Sequence, residues 1–187
     1  MSTQRGQGYA LDTVMVCLVL AVLLLGLVML ASASVSKAAR DAGDAFYFVK
    51  GQLQGAAVGI ALAVLLAMVP TELYQKHANL ILVLAALLLA AVLVPGIGHE
   101  SNGSRRWIRL PGIQLQPSEL ARVMVLVWVA AYAARRSKEL AGSFAGLAKP
   151  LGLTFLFCLL LLMEPDFGAA AVLFATAFGL LFISGAQ

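Results

Sequence analysis

The stretch VMVCLVLAVLLLGLVMLASA, residues Val14–Ala33, contains no charged side chain and only small or apolar residues apart from one serine. A helix needs about 20 apolar residues to cross a hydrocarbon core of about 30 Å. The stretch predicts a transmembrane helix, because it is continuously apolar rather than alternating and lipid requires internally satisfied backbone groups. Five further segments qualify in the same way: Gly51–Val69, Ala78–Ile97, Pro117–Ala134, Ala145–Met163 and Phe167–Ser184. The predicted fold class is therefore all-α, a polytopic transmembrane helical bundle with six spans in this chain.

The composition supports the same class. The chain has 187 residues, of which 61% are hydrophobic and 12% charged, and its mean hydropathy is +0.94. Soluble domains are about half apolar and about a quarter charged. The net charge of +4 favours contact with membrane lipids or an anionic headgroup and not with nucleic acid, because no basic nucleic-acid motif accompanies it.

The cysteines and histidines do not form a metal-binding pattern. Cys17 and Cys158 lie inside separate apolar runs, and His77 and His99 lie in separate polar connections. None of the four has a second ligand at a typical spacing. The sequence therefore predicts no protein-ligated metal.

The loop 98–116 carries three arginines and contains the sequence NGSRRWIRLPGIQLQ. Arg105 and Arg106 precede Trp107. In the residues that follow, Arg109 and Gln114 are interleaved with apolar residues. This pattern predicts a segment lying at the membrane surface, with its apolar side towards lipid and its guanidinium groups towards water. Such a segment can be a simple interfacial anchor. It can also bind a phosphorylated headgroup, because the planar guanidinium matches phosphate oxygens.

The sequence QPSELAR places two charged residues at the start of the fourth span. Pro117 suits the first helical position, and Glu119 in the first turn is favoured by the helix dipole alone. Arg122 follows three residues later, so that both side chains can share one helix face. Charged groups at this depth usually face a polar cavity or a partner. The pair is predicted to line a cavity, although Arg122 can also reach the interface.

The sequence MEPDFG places Glu164 and Asp166 on either side of Pro165, between the fifth and sixth spans. One interpretation is a helix end followed by a new helix that Asp166 caps. The alternative is a pair of carboxylates facing a polar lumen, where they would hold a sugar hydroxyl or a divalent cation. A spacing of two residues does not put both on one helix face, so no general acid and base pair is inferred.

The distribution of Lys and Arg residues does not determine how the chain is oriented in the membrane. With the N-terminus inside, the cytoplasmic loops carry six Lys and Arg residues and the outer loops also carry six. The positive-inside rule therefore does not choose between the two topologies. Arginines that stay outside against this rule, such as Arg105, Arg106 and Arg109, are expected to bind a ligand.

These motifs together resemble one family. The sequences LVMLASASV, DAFYFVKGQL, LVPGIGHESNGSRRWI, LQPSELAR and LLMEPDFGAAAVL resemble those of the SEDS family of cell-shape and division proteins, which includes FtsW, RodA and SpoVE. The similarity extends from about Val14 to Gln187, and GHESNGSRRWI and PDFG most resemble the FtsW branch. The whole of 1–187 then corresponds to the N-terminal transmembrane part of one SEDS domain, with six of the family's about ten spans.

The resemblance implies a bacterial inner-membrane peptidoglycan glycosyltransferase that polymerises lipid II, an undecaprenyl-pyrophosphate-linked disaccharide-pentapeptide. It implies a class B penicillin-binding protein and other division proteins as partners, the division septum as location, and cytoplasmic termini. By position, Glu119 and Arg122 match the family's cavity-lining pair, Arg105 and Arg106 its loop arginines, and Asp166 its acidic residue between spans five and six.

Two departures from the family qualify this interpretation. Position 122 is commonly Lys in the family and is Arg here. The family's catalytic Asp lies in a loop after the seventh span, beyond Gln187, so the resemblance implies a chain that lacks it and is inactive alone. A divalent cation such as Mg²⁺ or Mn²⁺ is left open as a cofactor. A lipid II flippase and a non-enzymatic division scaffold are the alternative functions.

Overall fold

A computed structural model describes residues 12–94, 99–101, 104–110, 113–142 and 144–185. It divides into two compact units, Met1–Ala67 and Met68–Gln187. The fold class predicted from the sequence is confirmed, because helices dominate both units. Within the described ranges, five helices are long and apolar enough to cross a membrane, and Phe167–Ile183 is a shorter apolar helix. The chain is therefore part of a multi-pass membrane protein.

The first unit consists of helices α1 (Thr13–Ala42) and α2 (Tyr47–Ala67). The Asp12 side chain caps α1 by accepting hydrogen bonds from the backbone N–H groups of Val14 and Met15 at 3.0 and 3.2 Å. The helix continues nine residues beyond the predicted end at Ala33, because the Ser, Lys and Ala residues that follow are compatible with a helix. It ends at Gly43, whose φ of 67° is the left-handed conformation that glycine adopts readily.

The turn between α1 and α2 is held by an ion pair. Asp44 accepts a hydrogen bond from the Phe46 N–H at 3.0 Å and from the Lys50 ammonium at 2.6 Å. These two donors, with Lys50 the stronger influence, hold the pKa of the Asp44 carboxyl below its usual value. The turn allows α2 to begin at Tyr47, four residues before the predicted start at Gly51.

The second unit contains the helices α3 (Thr71–Leu93), α4 (Pro117–Arg135), α5 (Ser137–Gly142), α6 (Phe144–Met163) and α7 (Phe167–Ile183). Helix α4 packs against α3 and α7, and α6 packs against α7. Their core is apolar and closed to solvent, with fully buried residues that include Ala85, Leu89, Val125, Leu161 and Leu173. Many large apolar side chains remain exposed, as expected of helices that face lipid.

Helix α3 differs from its predicted span, and α5 was not predicted. Helix α3 begins at Thr71, seven residues before the predicted start at Ala78, because the polar residues after Pro70 continue the helix and place Glu72 in its first turn. It ends at Leu93, and the predicted end at Ile97 lies outside the described residues.

Three short strands occupy the loop 98–116. They are β1 (His99–Ser101), β2 (Ser104–Leu110) and β3 (Ile113–Leu115), which pair antiparallel in the order β1–β2–β3. The sequence pattern in this loop predicts a surface-lying segment and no strands. The two connections in the sequence are Asn-Gly and Pro-Gly, which are typical of tight turns between paired strands. These two turn signals outweigh the interfacial pattern of the apolar residues between the arginines.

Candidate functional site

Asp166 connects the turn between α6 and α7 to the start of α4. Its Oδ1 atom accepts a hydrogen bond from the Ala169 N–H at 3.1 Å and so caps α7. Its Oδ2 atom accepts one hydrogen bond from Gln116 Nε2 at 3.1 Å and a longer one from the Ser118 hydroxyl at 3.4 Å. Asp166 is 9% exposed and Ser118 is fully buried. The carboxylate is therefore fixed by three donors, two of which come from residues about fifty positions away in the chain.

The local sequence explains why Gln116 is available to Asp166. Gln116 is the N-cap residue of α4, but its side chain makes no capping hydrogen bond. Pro117 occupies the first turn, where its missing N–H removes one donor that would otherwise need a cap. The amide of Gln116 is thus directed to the neighbouring helix turn, and the start of α4 is attached to the start of α7.

The turn that carries Asp166 is formed by the end of α6. The backbone N–H groups of Glu164 and Asp166 both donate to the Leu161 carbonyl, at 3.1 and 3.0 Å. Glu164 is 1% exposed, so that both carboxylates of the MEPDFG motif are buried at the same end of the unit. Asp166 caps α7, as the first interpretation from the sequence expects, and it also accepts a hydrogen bond from Gln116. That the two carboxylates face a polar lumen stays a prediction.

Glu119 and Arg122 form an ion pair between Glu119 Oε2 and Arg122 Nη2, one helical turn apart on α4. The Arg122 side chain is 21% exposed and that of Glu119 is 52% exposed. Glu119 directly follows Ser118 in the first turn of α4, so that the pair lies at the same end of the helix as the Asp166 contacts. A partly buried guanidinium at this position can bind an anionic group once it is reached from solvent.

The strands lead directly into this region. In β2, Ile108 pairs with Leu115 of β3, and Leu115 immediately precedes Gln116. Trp107 is partly buried, pairs with His99 in register, and belongs to a strand that packs against α3 and α4. The backbones of Arg105 and Arg106 lie in β2, and their side chains are outside the described part of the structure.

The structure brings together four of the seven residues predicted for the site. Glu164 and Asp166 lie in one turn, and Asp166 contacts the start of the helix that carries Glu119 and Arg122. Gln116 and Ser118 were not predicted, although the polar residues flanking Pro117 in LQPSEL were the available signal. In the parts of the chain that the structure describes, no group of three or more His, Cys, Asp or Glu side chains could hold a metal ion.

The arrangement defines a polytopic α-helical membrane protein with a polar site where strands meet the start of a membrane helix. The chain belongs to the FtsW, RodA and SpoVE family of cell cycle proteins, whose family model matches residues 12–187. This match confirms the resemblance noted in the sequence.

Curated relatives carry one name. The chain is 44% identical over 167 residues to a probable peptidoglycan glycosyltransferase FtsW of Marinomonas mediterranea, covering 89% of this chain and 41% of the relative. It is 41% identical over 184 residues to a probable peptidoglycan glycosyltransferase FtsW of Hahella chejuensis, covering 98% of this chain and 46% of the relative. The chain thus spans less than half the length of these relatives.

Solved structures resemble most of the chain. A chain from a study of how a peptidoglycan synthase complex coordinates polymerisation and crosslinking superposes with a TM-score of 0.73 at 34% identity, covering 95% of this chain and 49% of that one. The rod shape determining protein RodA of Thermus thermophilus superposes with a TM-score of 0.64 at 32% identity, covering 87% of this chain and 54% of that one.

Proposed function

We propose that this chain is the N-terminal transmembrane part of a peptidoglycan glycosyltransferase that polymerises lipid II into glycan strands at the division septum. The protein would lie in the bacterial inner membrane with its N-terminus in the cytoplasm and work with a class B penicillin-binding protein and other division proteins. The observation that carries the proposal is the contact of Asp166 with Gln116 and Ser118 beside the Glu119–Arg122 ion pair. The names of the relatives supply the reaction class.

The reaction requires a positively charged site for a pyrophosphate. In glycan polymerisation, the 4-hydroxyl of the acceptor sugar attacks the anomeric carbon of the donor, the bond from that carbon to the pyrophosphate breaks, and undecaprenyl pyrophosphate leaves. The hydroxyl proton passes to a general base, which the family resemblance places beyond Gln187. Negative charge increases on the leaving pyrophosphate, and positioned cations stabilise it.

Among the residues that the structure describes, Arg122 is a cation suited to stabilising the leaving pyrophosphate. It is held by Glu119 within one helical turn, and its limited exposure reduces competition from water. A pyrophosphate would compete with the Glu119 carboxylate for the guanidinium, so that the ion pair keeps Arg122 oriented before substrate binds. Arg105, Arg106 and Trp107, on the strand that approaches α4, are proposed to contact the same substrate.

Asp166 would act as a positioning residue. It joins the start of α4 to the turn before α7, and Ser118, one of its partners, directly precedes Glu119 in the first turn of α4. Loss of this contact would allow the first turn of α4 to move relative to α7 and would displace the Glu119–Arg122 pair. Glu164, buried in the same turn, is proposed to keep this end of the unit polar.

The test is glycan polymerisation by the protein expressed from its complete reading frame, with lipid II and the cognate transpeptidase. We expect Arg122→Gln and Glu119→Gln each to reduce the rate strongly, and the double variant not to recover it. Arg122→Lys should be largely tolerated, because the family commonly has Lys there. Repeating the assay with Mg²⁺, with Mn²⁺ and with a chelator tests the divalent cation.

The control variant is Lys37→Gln, which removes an exposed charge of α1 and should leave the rate unchanged. If the Glu119→Gln, Arg122→Gln double variant polymerises normally at normal membrane abundance, the pair only stabilises packing and the proposed role is wrong. If no glycan forms even with the unsubstituted protein, the scaffold alternative is favoured.

The flippase alternative predicts charged groups along the whole path through the membrane. Between Arg122 and Arg135, α4 contains no Asp, Glu, Lys or Arg. The helix therefore carries charge at its two ends and not along its length, which favours a site at one membrane face over a path between faces.

A further inference from the structure

A polar pocket lies at the opposite end of α4 from the site described above. It has a volume of about 530 Å³ and is lined by residues of α3, α4, α5 and α6 together with Arg136, which follows α4. Helix α4 has 19 residues, so that its two ends are about 27 Å apart. The pocket therefore belongs to the other membrane face and takes no part in the proposed polymerisation site.

The floor of the pocket is formed by two aromatic rings that are fixed by hydrogen bonds. Trp128 and Tyr132 stack with ring centroids 5.5 Å apart and planes inclined by 30°. The Trp128 indole N–H donates to Asn79 Oδ1 at 3.0 Å, and the Tyr132 hydroxyl donates to the Gly146 carbonyl at 3.0 Å. Both rings are buried within the unit. The floor is therefore rigid and presents apolar ring surface beside two satisfied polar groups.

Close packing between α5 and α6 forms one wall. A Cβ atom at position 146 would collide with the Glu139 carbonyl oxygen and would lie 2.6 Å from the Glu139 carbonyl carbon. Only glycine allows this approach, and it brings Glu139 to the pocket. This contact fixes α5, and with it Glu139, against α6.

The rim carries an excess of positive charge. Its charged residues are Arg135, Arg136, Lys149 and Glu139, which gives three cations and one carboxylate, a net charge of +2. Arg136 is neutralised by Glu139, since its Nη1 atom lies 2.7 Å from both carboxylate oxygens. The guanidinium of Arg136, and to a smaller extent the charge of Lys149, hold the pKa of the Glu139 carboxyl below its usual range.

The remaining two cations are not engaged in a close ion pair, although Lys149 is near enough to Glu139 to lower the pKa of that carboxyl. Arg135 uses its Nε–H to donate to the Ala131 carbonyl at 3.1 Å, which fixes the plane of the guanidinium. Within the described ranges, neither Arg135 nor Lys149 forms an ion pair. Arg135 lies at the end of α4 and Lys149 in the second turn of α6. At these positions, near the ends of two membrane helices, the two side chains can reach the phosphates of lipid headgroups.

We propose that this pocket binds a phosphate group, held between Arg135 and Lys149, with the adjoining part of the ligand resting on Trp128 and Tyr132. Guanidinium and ammonium groups are the side chains that recognise phosphate, and the aromatic floor suits the glycerol or sugar carbons next to it. The phosphate can come from an anionic lipid of the bilayer or from a soluble phosphorylated compound.

The experiment is native mass spectrometry of the protein expressed from its complete reading frame, titrated with dioleoyl phosphatidylglycerol. We expect one tight binding event that dioleoyl phosphatidylcholine, whose headgroup is neutral overall, does not reproduce. The double variant Arg135→Gln, Lys149→Gln should weaken this binding about twentyfold or more, because each basic side chain near an anionic headgroup contributes about a factor of five. The matched control, Lys76→Gln with Lys138→Gln, removes two exposed cations that do not line the pocket and should change binding less than twofold.

A competition arm with sn-glycerol 3-phosphate identifies the source of the phosphate. If sn-glycerol 3-phosphate displaces the lipid at similar concentrations, the pocket binds a soluble phosphorylated compound. If it does not displace the lipid, the ligand of the pocket is an anionic lipid. Equal weakening in the double variant and its control, or equal binding of the two lipids, would show that the cations only anchor the helices and would overturn the proposal. Should the double variant unfold, Lys149→Gln alone is expected to weaken binding about fivefold, and no change there is equally contradictory.

Discussion

Replacing Asp166 by alanine should destabilise the protein by about 3 kcal/mol. Its capping bond to the Ala169 N–H contributes about 1 kcal/mol. The bond from Gln116 to a charged acceptor contributes about 1.5 kcal/mol. The contact from Ser118 is long and contributes about 0.5 kcal/mol. Two thirds of the expected effect therefore comes from contacts between helices and one third from the cap.

Asp12 provides a matched control. It caps α1 through two backbone N–H groups and is exposed. Asp12→Ala should cost only about 1 kcal/mol, since the substitution removes a cap and no contact to another helix. Asp166→Asn should also cost about 1 kcal/mol, because the amide oxygen still caps α7 and the Gln116 amide can rotate to present its oxygen to the new NH₂ group.

The assay is reversible unfolding in mixed micelles with increasing sodium dodecyl sulfate, followed by tryptophan fluorescence, with the free energy of unfolding obtained by linear extrapolation. A double-mutant cycle of Asp166→Ala with Gln116→Leu should give a coupling energy of about 1 to 1.5 kcal/mol. If Asp166→Ala costs no more than Asp12→Ala, or if the coupling energy is zero, the contact from α4 to the α6–α7 turn does not stabilise the protein and the reasoning is refuted.

Three further predictions concern other parts of the chain. Gly146→Ala should cost about 1 to 3 kcal/mol in the same unfolding assay because its Cβ meets the α5 backbone, whereas Gly152→Ala in the same helix meets nothing within 4 Å and should be neutral or stabilising. A membrane-impermeant thiol reagent applied to spheroplasts should label Ser104→Cys but not Ser137→Cys in a cysteine-free background, and the reverse pattern contradicts the proposed orientation. The ion pair lowers the pKa of Asp44, so that it stabilises the α1–α2 turn above the carboxyl's usual pKa and the stabilisation is lost as pH falls through the lowered value. Hydrogen-exchange protection in that turn should fall in this acidic range, and unchanged protection in Asp44→Asn would contradict the assignment.

A fifth prediction follows from the family resemblance. The 187-residue chain given lipid II and a transpeptidase should form no glycan polymer, because the resemblance places the general base beyond Gln187. Polymer formation would make Asp166 or Glu119 the candidate for that role.

Five of the predicted spans correspond to described helices that are long and apolar enough to cross a membrane, because long apolar runs are typical of such helices. The sixth, Phe167–Ser184, corresponds to a shorter apolar helix of 17 residues. The predicted end of α1 and the predicted start of α3 were less accurate, because Ser, Ala, Lys and Glu beside an apolar run are compatible with a helix. The strands were missed although Asn102-Gly103 is a strong hairpin signal.

The contacts between distant residues could not be predicted from one sequence. Periodicity places Asp166 at a helix start, but nothing in it indicates that Gln116, fifty positions earlier, donates to its second oxygen. The pocket at the Arg135 end of α4 could not be predicted either, because Arg135 and Lys149 line one cavity only through the packing of α4 and α6. Such contacts depend on how helices pack, and a single chain without aligned relatives carries little information about packing.

The most direct test of the central claim is photo-crosslinking to lipid II. p-Benzoylphenylalanine placed at Leu120, an exposed position beside the Glu119–Arg122 pair, should crosslink to lipid II in the protein expressed from its complete reading frame. The same residue placed at Ser137, at the other end of α4, should not. Crosslinking at Leu120 alone is the result predicted for a substrate site at the strand end of α4. Crosslinking at Ser137 alone would contradict it.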